Sequence, residues 1–133
     1  MDDSKNVISE RINNKEYSTR ISPQKHYRHI RGTKEYQEYA SLQDSKGLSR
    51  PSILYLTLEQ TQNFIIKYSG TGRTKKDRHG NIMSLEYIEA DFVVGAYEYR
   101  GVYTDTNTAM IKYSKKNAHL VAVKPLKGES EHV

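Results

Sequence analysis

Two histidines, His29 and His119, lie far apart in the chain, each inside a stretch crowded with lysine and arginine. Imidazole can take up and release a proton near neutral pH, because its unperturbed pKa is about 6.5. Cationic side chains beside it attract anions and stabilise charge developing on a phosphate. The chemistry on offer is therefore proton transfer at a polyanion. Fifteen of the twenty-one Lys and Arg fall in residues 20–34, 67–78 and 112–127, which together hold a single acid, Asp77. The formal charge of +5 understates that asymmetry. Folding that gathers the three segments would create one strongly positive face, with nucleic acid the first expected partner.

The elements that must position these groups fit in one domain of the 133 residues. Apolar residues are 35% of the chain but cluster between Ile53 and Val123, enough for a modest core. Residues 1–19 show little apolar periodicity and 126–133 are polar, so both are expected to be loosely held or docked on a partner, with the folded domain over 20–125. There is no cysteine, which excludes disulfides, thiolate chemistry and zinc sites needing sulfur. No apolar run approaches the ~20 residues of a membrane span, and the N-terminus lacks the apolar stretch of a signal peptide. Eleven tyrosines and no tryptophan fit half-buried strand positions or stacking surfaces for bases.

Ser22 and Pro23 read as the cap and first turn of a helix that Gly32 could end, with His26 and His29 three apart on one face. Thr33 caps a second helix from Lys34 to about Gln43. Residues 52–56 have strand character. Thr57 and Gln60 then match a capping box opening a helix to Lys67 or Tyr68, with Leu58, Thr61, Phe64, Ile65 and Tyr68 on one face. Gly70 and Gly72 end it, and 73–81 reads as a loop. Strands follow over 84–94 (one strand or two), 95–103, 109–114 and 119–124, Pro125 stopping the last. The fold class is α+β: N-terminal helices packed on one face of a small antiparallel sheet of about four strands.

Ser69-Gly70-Thr71-Gly72-Arg73 invites a phosphate-loop reading. It lacks the Walker spacing and follows a helix rather than opening one, so a helix cap and turn is the expectation. Thr71 and Arg73 remain candidates for phosphate contact beside Lys75, Lys76 and Arg78. No His, Asp and Glu cluster has metal-ligand spacing, so neither metal nor cofactor is expected. His26 is expected to be an exposed neighbour, His79 a loop-tip residue and His132 a tail residue, all without a role.

From Ser22 to Pro125 the chain resembles the type 50 polymorphic toxin domain, found at toxin C-termini and appended to phage minor capsid proteins. The resemblance is carried by Gln24-Lys25, His29-Ile30-Arg31-Gly32-Thr33 and Tyr36. It continues through Lys67-Tyr68-Ser69-Gly70-Thr71-Gly72, Thr106-Asn107, Ile111-Lys112-Tyr113-Ser114-Lys115-Lys116 and His119-Leu120-Val121. It implies a ribonuclease-like fold of the barnase, EndoU, colicin and RelE kind, cutting RNA without metal. Two places depart from the family pattern: Asn117-Ala118 precedes His119 where the family usually has Gly-Thr, and Lys112 stands where a His is frequent.

Metal-free RNA cleavage needs a base for the 2′-hydroxyl proton, a cation for the phosphorane and an acid for the leaving 5′-oxygen. His29 and His119 are the candidate acid and base, with Lys25 and Lys115 beside them in the catalytic set. Arg31, Thr33, Thr71, Arg73, Thr106, Lys112, Tyr113 and Ser114 are candidates for substrate binding. Each histidine also has an ordinary alternative, His29 as a helix residue against the sheet and His119 as a solvated strand residue. The expected partner is RNA, acted on in the bacterial cytoplasm, with an immunity protein or phage head proteins as further expectations and no membrane. The competing reading is a module on the same fold that binds nucleic acid, a virion or a host protein without cleaving.

Overall fold

A computed structural model describes the backbone of residues 3–126 and the side chains of 7–126. Four helices precede or interrupt seven strands: α1 (Asp3–Asn13), α2 (Pro23–Tyr27), α3 (Lys34–Ser45), β1 (Ile53–Leu54), α4 (Leu58–Tyr68), β2 (Arg73–Lys76), β3 (Ile82–Glu89), β4 (Gly95–Tyr99), β5 (Val102–Thr106), β6 (Thr108–Tyr113) and β7 (Ala118–Ala122). The fold is α+β. The strands form two sheets, ordered β2-β3-β6-β7 and β1-β4-β5, with every pairing antiparallel.

The period-two pattern of β6 and β7 decides which groups meet. Ala109, Ile111, Tyr113, Ala118, Leu120 and Ala122 face the core with Ile8, Phe64, Ile65 and Ile88. The intervening Lys112 and His119 stand directly opposite each other across the β6–β7 ladder, on the other face of the sheet. α4 begins at a full capping box, Thr57 accepting from the Gln60 amide at 3.1 Å and the Gln60 side chain accepting from the Thr57 amide at 2.9 Å.

The two sheets cross where β4 starts. A Cβ on Gly95 would run into the Ile53 carbonyl and stand 3.0 Å from the Ala122 side chain, so only glycine lets β4 lie this close to β1 and β7. Beyond Tyr99 the chain reverses at Arg100 and Gly101, both left-handed at φ 51° and 82°. That is the two-residue hairpin whose twist matches its strands.

Four expectations change. The segment 1–19 contains α1, whose Ile8 is fully buried. Its apolar stripe is Ile8 and Ile12, too sparse to read as periodic. Residues 73–81, expected as a loop, open with β2, an edge strand without apolar alternation; charged edges of this kind resist further pairing. The single strand expected over 95–103 is a hairpin, β4 and β5, because Arg-Gly carries only half of the usual turn signature. α2 also stops at Tyr27 rather than at Gly32. Residues 127–133, with His132, lie outside the described residues.

The chain before α2 is tied along β7. Ser18 donates to the Ser114 carbonyl, Ala118 to that of Arg20 and Ser22 to that of Ala118, all at 2.8–2.9 Å. Gln62 of α4 locks this arm, accepting from the Ile21 amide and donating to the Thr19 carbonyl at 2.8 Å each. Among the described residues no helix is long and apolar enough to cross a membrane.

Candidate active site

His29 lies in the turn that follows α2, its carbonyl accepting from the Leu54 amide of β1 at 2.8 Å. The turn is held from beneath by Thr33. Its hydroxyl lies 2.7 Å from the Tyr27 carbonyl and 2.8 Å from that of Ile30, and it accepts from the Tyr36 amide to cap α3. Thr33 is thereby committed to shaping the turn rather than to a ligand. His119 comes from β7, on the sheet face opposite the core. The two rings meet nearly parallel, centroids 6.5 Å apart and planes 15° from each other.

The tautomer of His29 follows from its partner. Nδ1 is 2.9 Å from the Ser52 carbonyl oxygen, which can only accept, so Nδ1 carries the proton in the neutral ring and Nε2 keeps its lone pair. His29 is 7% exposed yet lines a cavity of about 730 Å3. Tyr39 stands edge-on to it at 6.4 Å and also carries the Arg28 guanidinium over its ring at 5.2 Å.

Three cationic neighbours, Lys25, Arg28 and Lys112, act on the pair. His119 is pushed down to about 3, first by burial, then by His29, Lys25, Lys112 and Arg28. His29 is lowered mainly by burial, which its bond to Ser52 opposes and Arg28 and Lys112 reinforce. Both rings are therefore neutral at pH 7 while the cleft is empty. A phosphate entering among Lys25, Arg28 and Lys112 would reverse the local field and favour imidazolium. Lys25 reaches across to Asn117, its Nζ donating to Oδ1 at 3.4 Å. Asn117 is in turn set by Ser114, whose hydroxyl donates to the Asn117 carbonyl at 2.9 Å and accepts from its amide at 3.1 Å.

The remaining candidates divide. Lys112 is exposed beside His119. Lys115 is exposed in the β6–β7 turn and is not among the charges that move either ring. Arg31 stacks its guanidinium over Tyr103 at 5.4 Å. Thr106 is buried, donating to the Val123 carbonyl at 2.9 Å. Thr71 donates to the Tyr68 carbonyl at the end of α4. Arg73 sits on β2, at the opposite edge of the sheet from His119. That separation is ~14 Å at the usual strand spacing, so the second basic segment does not join the other two.

Tyr113 points away from the cleft. Its hydroxyl donates to Glu86 Oε2 at 2.6 Å, and burial followed by the Glu86 charge pushes its ionisation far up, so it stays a donor. Glu86, fully buried, also accepts from the amides of Gly70 at 2.8 Å and Gly72 at 2.7 Å. The glycine loop thus holds an anion, but one supplied by the protein itself.

Three contributors escaped sequence reasoning: Arg28, Tyr39 and His26. His26, expected to be exposed, is 1% exposed, and neither of its ring nitrogens has a partner. Burial and the adjacent His29 lower its pKa. Among the described residues, no three of His, Asp and Glu are placed to hold a metal ion.

No curated protein and no solved structure matches the chain. The family described as bacterial toxin 50 matches residues 21–122, a span that begins in the arm along β7, runs through the His29 turn and ends with β7 itself. With three quarters of its length accounted for in this way, the chain belongs to the bacterial toxin 50 family.

Proposed function

We propose that the domain is an endoribonuclease that cuts RNA by transesterification. His29 Nε2 takes the proton of a 2′-hydroxyl, whose oxygen attacks the adjacent phosphorus. The bond to the 5′-oxygen breaks, His119, which takes up a proton from solvent when the phosphate binds, passes it to that leaving oxygen, and the products are a 2′,3′-cyclic phosphate and a free 5′-hydroxyl. Lys25, Arg28 and Lys112 carry the charge of the phosphorane. The observation that supports this most is the parallel His29–His119 pair with one Nδ1 pinned by a carbonyl, which leaves a defined basic nitrogen in a cationic cleft. Membership of a toxin family fits an activity directed at RNA in a bacterial cytoplasm.

The test is cleavage of tRNA and of single-stranded RNA near pH 7 by wild type, His29→Ala and His119→Ala. Wild type should yield cyclic-phosphate ends, and both variants should lose activity while staying folded. Intact RNA with wild type at high enzyme concentration sinks the proposal.

A second reading draws on the low pKa of His119 and the near-enclosure of His29, which leave no imidazolium in the empty cleft. On that reading the cleft binds nucleic acid without cutting it. Affinity would then fall with salt in proportion to the phosphates contacted, and cyclic-phosphate ends would not form.

A further inference from the structure

The cavity that His29 lines is not lined by His119, so it lies to one side of the histidine pair. At about 730 Å3 it falls within the ~300–1,000 Å3 of sites that enclose small ligands. One wall is the β4–β5 hairpin. Register sets Tyr97 opposite Thr104 and Tyr99 opposite Val102, so the four share a sheet face, and all four line the cavity. The other wall is the end of β7 from Val121 onward, on the face that carries His119.

This wall is oddly apolar for surface. Tyr99 is 61% exposed and Val102 63% exposed, and neither contributes to the core. The Arg100 guanidinium lies 5.1 Å from the centre of the Tyr99 ring. Arg100 occupies a left-handed conformation at the hairpin tip, where glycine or asparagine would be the easier choice. The Glu98 carboxylate steadies the tip by accepting from the Gly101 amide at 2.8 Å. An exposed ring backed by a guanidinium, in a cavity also lined by His29, Arg50 and Lys124, is a platform for a flat ligand attached to an anion.

We infer that this cavity is a nucleobase subsite, in which a base adjoining the cleaved phosphodiester stacks on Tyr99 while Arg100 and Lys124 follow its backbone. The inference rests on the ribonuclease reading and supplies the form of the RNA. A base inside a duplex has both faces covered by its neighbours, whereas an unpaired base can be splayed out and stacked. The substrate class is therefore single-stranded RNA or an unpaired loop.

The experiment uses the full chain carrying His119→Ala, so that RNA stays intact, with and without Tyr99→Ala. Binding is read by fluorescence anisotropy against a labelled single-stranded RNA and against the same backbone with abasic riboses. Stacking predicts that Tyr99→Ala weakens binding of the RNA by about 5- to 150-fold. The abasic strand should be nearly unaffected, and Tyr99→Trp should restore affinity. Because the side chain is exposed, circular dichroism should be unchanged. Equal weakening for both strands, or none for either, overturns the subsite. In wild type, single-stranded RNA should be cut faster than a duplex of the same sequence, and equal rates also overturn it. Cleavage that is indifferent to Tyr99 removes the subsite and spares the nuclease. Binding that depends on Tyr99 without any cleavage does the reverse.

Discussion

Two buried polar assemblies occupy opposite faces of the four-stranded sheet, and they are finished to different degrees. Around Glu86, both carboxylate oxygens are satisfied by Gly70, Gly72 and Tyr113. Gly70 can serve because it sits at φ 83°, and a Cβ there would collide with Ser9. Around His29, by contrast, the cations Lys25, Arg28 and Lys112 face imidazoles instead of a carboxylate, and neither ring nitrogen of His26 has a hydrogen-bond partner. A closed network stabilises a fold, while an open one costs stability and leaves capacity for something that arrives later. The protein contains both, one beneath the sheet and one above it.

Removing groups should therefore have different consequences on the two sides. The largest effect is expected in the cleft: His29→Ala and His119→Ala should each lower RNA cleavage by ~10²–10⁴-fold, with thermal melting little changed. Cleavage that survives both substitutions would leave the open network without a catalytic purpose. On the other face, Glu86→Ala strands three donors and should cost roughly 3–5 kcal/mol in chemical denaturation. A loss below about 1 kcal/mol would mean that water replaces the carboxylate and that the network is not closed.

Acid should act through the open side. His26, His29 and His119 all bind protons less readily when folded than at their unfolded value of 6.5. The unfolded chain then takes up more protons, and stability falls as pH drops below about 6.5, continuing for His119 to about 3. Each ring contributes up to ~1.4 kcal/mol per pH unit. Denaturation between pH 7 and 5 measures the slope, and an oligonucleotide bound in the cleft should flatten it; no slope would contradict the burial of the three rings. The smallest effect is expected for His26→Leu, which removes two orphaned nitrogens and should raise stability at pH 7 by roughly 1–2 kcal/mol. A loss instead would reveal a partner for His26.

Much of this arrangement could be read in advance where chemistry was local. Thr33 and Thr57 announced two helix starts because capping depends on neighbours three positions away. His29 and His119 stood out because the cations around them are close in sequence. What hid was decided by distant packing. Tyr113 and Thr106 carry hydroxyls suited to a phosphate, yet Glu86 and the Val123 carbonyl claim them. Arg28 was overlooked because a helix running to Gly32 would turn it ~100° from His29; with α2 ending at Tyr27, the two flank one cleft. His26 looked exposed because nothing in a basic run marks which imidazole faces inward.

The parallel tie between the arm at Ile21 and Ala118 has a temporal side. Half of the histidine pair belongs to β7, which follows every other described strand and helix along the chain. A chain with only its helices formed has His29 but lacks the strand that brings His119 to it. The pair is assembled only once β7 slots in beside the arm, so forming the cleft is tied to completing the four-stranded sheet.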